Sequence, residues 1–172
     1  MGRAALMIVA FVTLLGACAP QPFIDRPLAQ TIKVEEVSVE AAGIDTEIGR
    51  DIVKTEAQLE EDIRKAVENQ VIYSTRERER PANLEIRVAD VVLVSPGRSF
   101  LIGGNSYIQA NITVKDRETG AVIFGPKLFA QMGRGYAPGG IIGAATRPDP
   151  AQDYLSTVAA FAAGLQLALS GN

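Results

Sequence analysis

Over Thr31–Glu40 apolar and polar residues alternate with period two. Ile32, Val34, Val37 and Val39 are apolar, while Lys33, Glu35, Ser38 and Glu40 are polar. That pattern predicts a strand with one face buried, and the phase slip at Glu35-Glu36 predicts a bulge. The period changes over Thr55–Tyr73. Leu59, Ile63, Ala66, Val67, Gln70 and Val71 recur at spacings of three and four, and Glu60, Glu61, Asp62, Arg64, Lys65 and Glu68 fill the other side. This is an amphipathic helix, with Thr55 as a candidate cap. Alternation returns over Asn83–Val94, Tyr107–Lys115 and Ala121–Met132, giving three more strands. Asp116-Arg117-Glu118-Thr119-Gly120 reads as the hairpin turn between the last two, with Gly120 taking positive φ. Pro126 cannot donate to a ladder, so it marks a bulge or a sheet edge.

A final helix is predicted from Asp149 to about Leu169. Asp149 suits the N-cap, Pro150 the first helical position, and Gln152 the capping-box position. Its apolar residues form two stripes. One is Tyr154, Val158, Phe161, Leu165 and Ala168; the other is Leu155, Ala159, Ala162, Ala163, Gln166 and Leu169. A helix apolar on two sides is buried on both or meets another chain. The small residues Ala159, Ala160, Ala163 and Gly164 favour close approach of another backbone. Leu155, Ala159 and Ala162 are therefore candidate interface residues.

The element order β-α-β-β-β-α predicts an α+β two-layer sandwich. About four strands form a mainly antiparallel sheet, with two helices on one face. Residues 31–172 are read as a single domain. Two stretches carry no period. Ser95–Asn105 holds the apolar tip Phe100-Leu101-Ile102, and Gly133–Arg147 holds five glycines. Tyr136, Ile141 and Ile142 give the second stretch apolar contacts, so they join the candidate interface. The run Arg76-Glu77-Arg78-Glu79-Arg80 reads as a solvated helix end, its arginines suited to the negative end of the helix dipole.

Composition removes whole classes of chemistry. None of the 172 residues is histidine, and Cys18 is the only cysteine. The usual general base, metal ligand and pH switch are thus missing, and no Ser/His/Asp triad can be built. No Cys/His metal site and no intrachain disulfide is possible. Gly120 and Gly125 have Walker A spacing, but Pro126-Lys127-Leu128 stands where Lys-Ser/Thr is needed. Gly133–Gly143 holds no Gly-x-Gly-x-x-Gly. The acidic residues Glu60, Glu61, Asp62, Asp90 and Asp116 read as solvated charges. The net charge of −3 offers no basic field for nucleic acid. The chain is expected to be non-catalytic, with no cofactor and no metal.

The N-terminus says where the protein works. Arg3 precedes an apolar run from Ala4 to Leu15, followed by Leu15-Gly16-Ala17-Cys18. A basic head, an apolar middle and small residues make a secretory signal. The run is shorter than the roughly 20 residues that span a bilayer, and Pro20 follows closely. Leu15-Gly16-Ala17-Cys18 resembles the lipobox of bacterial lipoproteins. That resemblance implies a signal peptide at 1–17, a diacylglyceryl group on Cys18 and a mature chain starting there. It implies a membrane partner through the lipid anchor, and Ala19 in place of Asp favours the inner leaflet of the outer membrane, facing the periplasm. Residues 18–30, with three prolines, read as a tether.

A lipobox, a strand, an amphipathic helix, three meandering strands with the Asp116–Gly120 hairpin, a Gly-rich loop and a closing helix resemble several small envelope lipoprotein families. Uncharacterised families are among them, with PqiC-like lipoproteins of lipid transport and CsgG-like secretion lipoproteins more distant. The resemblance implies an accessory in envelope transport or assembly that binds an envelope protein or forms a homo-oligomer. The alternative is a carrier holding a lipid or other apolar ligand between sheet and helix.

Overall fold

The structure, a computed structural model, describes residues 23–44, 52–94, 104–137, 140 and 149–171, with the backbone alone at 134–137. A short turn, α1 (Arg26–Ala29), leads into β1 (Ile32–Glu40). Helix α2 (Glu56–Val67) continues through a π-helical segment, Glu68–Ile72, into a last α turn, Tyr73–Thr75. Strands β2 (Arg80–Val92), β3 (Gly104–Asp116) and β4 (Val122–Ala137) follow, then helix α3 (Pro150–Ala168). The four strands make one sheet in the order β1-β2-β3-β4. β1 and β2 are parallel, joined by the α2 crossover, and the other two pairs are antiparallel. The expected α+β sandwich with two long helices on one face of a mainly antiparallel sheet is the observed fold.

The alternation places the core. Ile32, Val34 and Val37 from β1, Leu84, Ile86 and Val88 from β2, and Ile108, Ala110, Ile112 and Val114 from β3 are buried on the helix-covered face. Leu59, Ile63, Phe161 and Leu165 fill the layer above them, each with no exposed surface. The slip predicted at Glu35-Glu36 is a register shift between Val34 and Glu36 against β2. Thr55 caps α2 in a reciprocal box with Gln58. Asp149 caps α3 by accepting from the amides of Ala151 and Gln152.

The π segment of α2 has a cause in the sequence. The buried positions Leu59, Ile63, Val67, Val71 and Thr75 are spaced by four throughout. At 3.6 residues per turn each step of four overshoots a full turn by about 40°, so the row would rotate off the sheet. The wider turn at Glu68–Ile72 takes up that drift and keeps Val71 and Thr75 facing inward. Thr75 then does more than pack. Its hydroxyl donates to the Val71 carbonyl at 2.9 Å and accepts from the Val34 amide of β1 at 3.1 Å. Thr75→Val keeps the shape but orphans that buried amide, and should lower stability by about 1–3 kcal/mol in chemical denaturation. An unchanged midpoint would mean that the helix–strand bond is dispensable.

Three expectations change here. Phe23–Gln30 was assigned to the tether, but Ile24 and Ala29 are buried in the core, so this part of the chain belongs to the domain. Apolar burial outweighs the prolines: Pro27 sits in the first turn of α1, where no amide is needed. Gly133–Arg147 was read as irregular from its first residue, yet β4 runs on to Ala137. Glycine is tolerated there because Gly133 lies under α3, where a Cβ would come within 2.4 Å of the Thr157 hydroxyl. The Arg76–Arg80 run is not simply a solvated end. Arg78 donates to the carbonyls of Ala29 at 2.7 Å, Leu169 at 3.3 Å and Ile32 at 3.4 Å, tying α1, β1 and the end of α3 together. Burial lowers its pKa from the ordinary arginine value.

Candidate binding surfaces

The two faces of the sheet differ completely. Helices cover one; the other is open and carries a polar ladder. Arg87 pairs with Glu40 at 3.0 Å and Lys115 with Glu85 at 2.6 Å across neighbouring strands. With Ser38, Asn111 and Thr113 these residues line a shallow concavity of about 820 Å³. Its charges are already matched in pairs, so it offers no field of one sign.

The edges differ too. β1, at one edge, has nine residues and carries Lys33, Glu35, Glu36 and Glu40, the charged style that discourages strand addition. β4, at the other edge, has sixteen residues, of which only Lys127 and Arg134 are charged. Register sets its two faces. Phe129 and Gln131 stand opposite the buried Ala110 and Ile108, so they face the helices. Leu128, Ala130 and Met132 stand opposite Asn111, Gln109 and Tyr107, on the open face. With Val122 they make an apolar row; Val122 is 55%, Leu128 52% and Met132 64% exposed. Pro126 lies at the bulge that interrupts β4, as its missing donor requires, after a cis Gly125–Pro126 bond. Gly125 has φ +89°, and a Cβ there would meet the Ile112 carbonyl at 2.2 Å.

The β4 edge is also where the N-terminal segment joins the domain. The Phe23 ring packs edge-on against Phe124 at 5.2 Å and Phe129 at 5.3 Å. Phe129 in turn meets Phe161 of α3 at 5.5 Å. Lys127 Nζ donates to the Phe23 carbonyl at 2.8 Å and lies over the Phe23 ring. Phe23 is thereby held against the strand by rings on one side and a cation on the other.

The candidate interface residues are not brought together as a patch. Leu155 is 62% exposed and Ala159 is exposed, whereas Ala162 is buried in the domain's own core. Ala162 is therefore corrected from interface to core; it lies on the side of α3 shared with Phe161 and Leu165. Tyr136 stands opposite Asn105 in the β3–β4 ladder, while Ile141 and Ile142 lie outside the described residues. Cys18 and residues 1–17 also lie outside them. Of the small residues of α3, Ala160 is buried and Gly164 makes a close contact within the chain. A Cβ on Gly164 would meet the Gln131 side chain at 2.2 Å, so the helix crosses β4 closely there. The exposed row on β4 was not anticipated. Its signal was legible in the alternation of Leu128, Ala130 and Met132, but naming the solvent face requires knowing which strand is the edge.

Acidic residues that might have done chemistry have structural partners. Asp62 accepts from Lys54 at 3.0 Å and from the Tyr154 hydroxyl at 2.9 Å, joining the two helices. Burial, helped by that bond, raises the Tyr154 pKa, so its hydroxyl stays a donor. Glu61 pairs with Arg64 and Lys65, and Glu60 accepts from the Ala41 amide. Asp116 caps its own hairpin through the amides of Glu118 and Thr119 and pairs with Arg80 at 3.1 Å. The Thr119 amide first, then the Thr119 hydroxyl and Arg80, lower its pKa.

Among the described residues one acidic group is buried. Asp153, in the first turn of α3, accepts a short hydrogen bond from the Ser106 hydroxyl. Ser106 accepts in turn from the Val94 amide at 3.1 Å, and Thr157 donates to the Asp153 carbonyl at 2.7 Å. This cluster fastens the N-terminus of α3 to the end of the sheet, and one Asp153 carboxyl oxygen has no partner among the described residues. Ser106 and Asp153 are both buried, so the pair is closed to solvent.

Among the described residues no helix is long and apolar enough to cross a membrane. No family model, no curated protein and no solved structure matches this chain.

Proposed function

We propose that this protein is a lipid-anchored lipoprotein of the cell envelope, without catalytic activity, that binds a protein partner as an accessory in transport or assembly. The observation that carries the anchor is Leu15-Gly16-Ala17-Cys18, and Phe23, only five residues on, already packs against the core. A non-catalytic role is supported by the absence of histidine and by the partners that hold Asp62, Glu61 and Asp116. The carrier reading has less support. The layer between sheet and helices is filled by Leu59, Ile63, Ile108, Ile112, Phe161 and Leu165, all fully buried. The open-face concavity is shallow, and paired charges, Arg87 with Glu40 and Lys115 with Glu85, stand among its lining.

Two acyl chains or more give firm anchoring, since each buried CH₂ contributes about 0.8 kcal/mol. Mass spectrometry of the membrane-extracted protein is expected to show Cys18 as an acylated N-terminus. Alkali or high salt should leave it in the membrane fraction. A mature chain with a free thiol at Cys18 would end the proposal.

A further inference from the structure

We propose that the β4 edge of the domain rests on the bilayer that holds the anchor, with Val122, Leu128 and Met132 as the contact row. The inference builds on acylation of Cys18 as proposed above. Three observations carry it. The first is reach. Five Cα steps separate Cys18 from Phe23, and even a fully extended chain spans no more than about 18 Å in that length. Phe23 is fixed against Phe124, Phe129 and Lys127, so the place where the anchor leaves the domain is the β4 edge itself. Whatever path residues 18–22 take, this edge cannot move far from the membrane surface.

The second observation is polarity. Exposed Val122, Leu128 and Met132 run along β4 on one side of the edge. On the other, Leu167 lies three residues beyond Gly164, on the α3 surface next to β4, and is 54% exposed. The edge is thus an apolar ridge, suited to a shallow seat among headgroups and the first acyl carbons. The third is charge. β4 carries Lys127 and Arg134 and no carboxylate, while the chain as a whole has more acidic than basic residues. An anionic leaflet attracts this edge, whereas the β1 edge offers no such pull, its Glu35, Glu36 and Glu40 being paired with Lys33, Arg117 and Arg87. Docking in this sense leaves β1, the polar ladder and Leu155 free to meet a partner.

The test uses the full lipoprotein, purified in detergent and returned to vesicles of phosphatidylethanolamine with a minor fraction of phosphatidylglycerol. With Cys18 acylated, each of Leu128→Cys, Met132→Cys and Ser38→Cys holds one free thiol for a fluorophore. Nitroxide on the lipid acyl chain reaches only probes that pass the headgroups. Quenching at positions 128 and 132 and none at 38 is the expected result. No quenching at 128 and 132 in protein whose Cys18 is acylated would overturn the docking and leave the anchor standing. So would shielding of those probes that rises with protein concentration and persists in detergent, because a second copy would then cover β4. An unacylated Cys18 would overturn both readings, and mass spectrometry of the same sample tells the cases apart.

Discussion

Phe161→Ala should lower the unfolding free energy by about 3–5 kcal/mol, the range for removing a fully buried ring. Phe161 has no exposed surface and is the central ring between α3 and the sheet. It meets Phe129, which meets Phe23, so its loss opens a cavity beside the place where the N-terminal segment is held. The effect should therefore spread beyond the helix. In hydrogen exchange, the amides of α1 should lose protection along with those of α3. Denaturant titration gives the magnitude. A loss under about 1 kcal/mol would place Phe161 outside the core, since even small buried truncations usually cost that much.

Ser106→Ala is expected to cost more than its size suggests. The hydroxyl is buried and serves two groups, accepting from the Val94 amide and donating to the Asp153 carboxyl. Removing it leaves both in the protein interior without water. Each unsatisfied group costs about 1–3 kcal/mol, more where charge is involved, so a total loss of about 2–6 kcal/mol is expected. Asp153 already has one carboxyl oxygen without a partner, so the deletion strips its remaining side-chain donor. The cycle with Asp153→Leu gives the sharper reading. Once the carboxyl is gone, Ser106→Ala should cost about 1–3 kcal/mol, the share of the Val94 amide alone. Additive single and double variants would show that the two side chains do not depend on each other.

The unpaired oxygen of Asp153 is the one place where sequence rules and structure conflict most openly. A carboxylate in the first turn of a helix is favourable for the dipole, and Asp153 reads as such from its position. Burial came from elsewhere. β3 puts Ser106 on the inner face, and Gly133 of β4 lets Thr157 settle against the strand, which draws the first turn of α3 down onto the sheet. Ser106 and Gly133 are both distant from Asp153 in sequence, so periodicity could not announce the cluster.

Much else was legible because it depends on short spacings. Period-two alternation identified all four strands, and the slip at Glu35-Glu36 located the bulge, because a strand's side chains must alternate whatever it pairs with. Caps at Thr55 and Asp149 followed from the four orphan amides of any helix N-terminus. Leu15-Gly16-Ala17-Cys18 is likewise a local signal, and the reading of the anchor rests on it. The stripe Tyr154, Val158, Phe161 and Leu165 was buried as its spacing required.

What only the tertiary structure decided concerns neighbours distant along the chain. Strand order made β4 an edge, and the edge turned Leu128 and Met132 from an unremarkable alternation into an exposed row. Packing of Phe23 against Phe124 and Phe129 puts Pro27, one of the three prolines that suggest a tether, inside the domain. Arg78 became a clamp because three carbonyls from separate segments end beside it. Ala162 passed from candidate interface to core because a helix on a sheet buries a wider arc than one stripe. Local pattern specifies which face of an element is apolar, since that follows from bond geometry alone. Which apolar faces meet each other, and which one is left over, depends on the order in which the elements assemble.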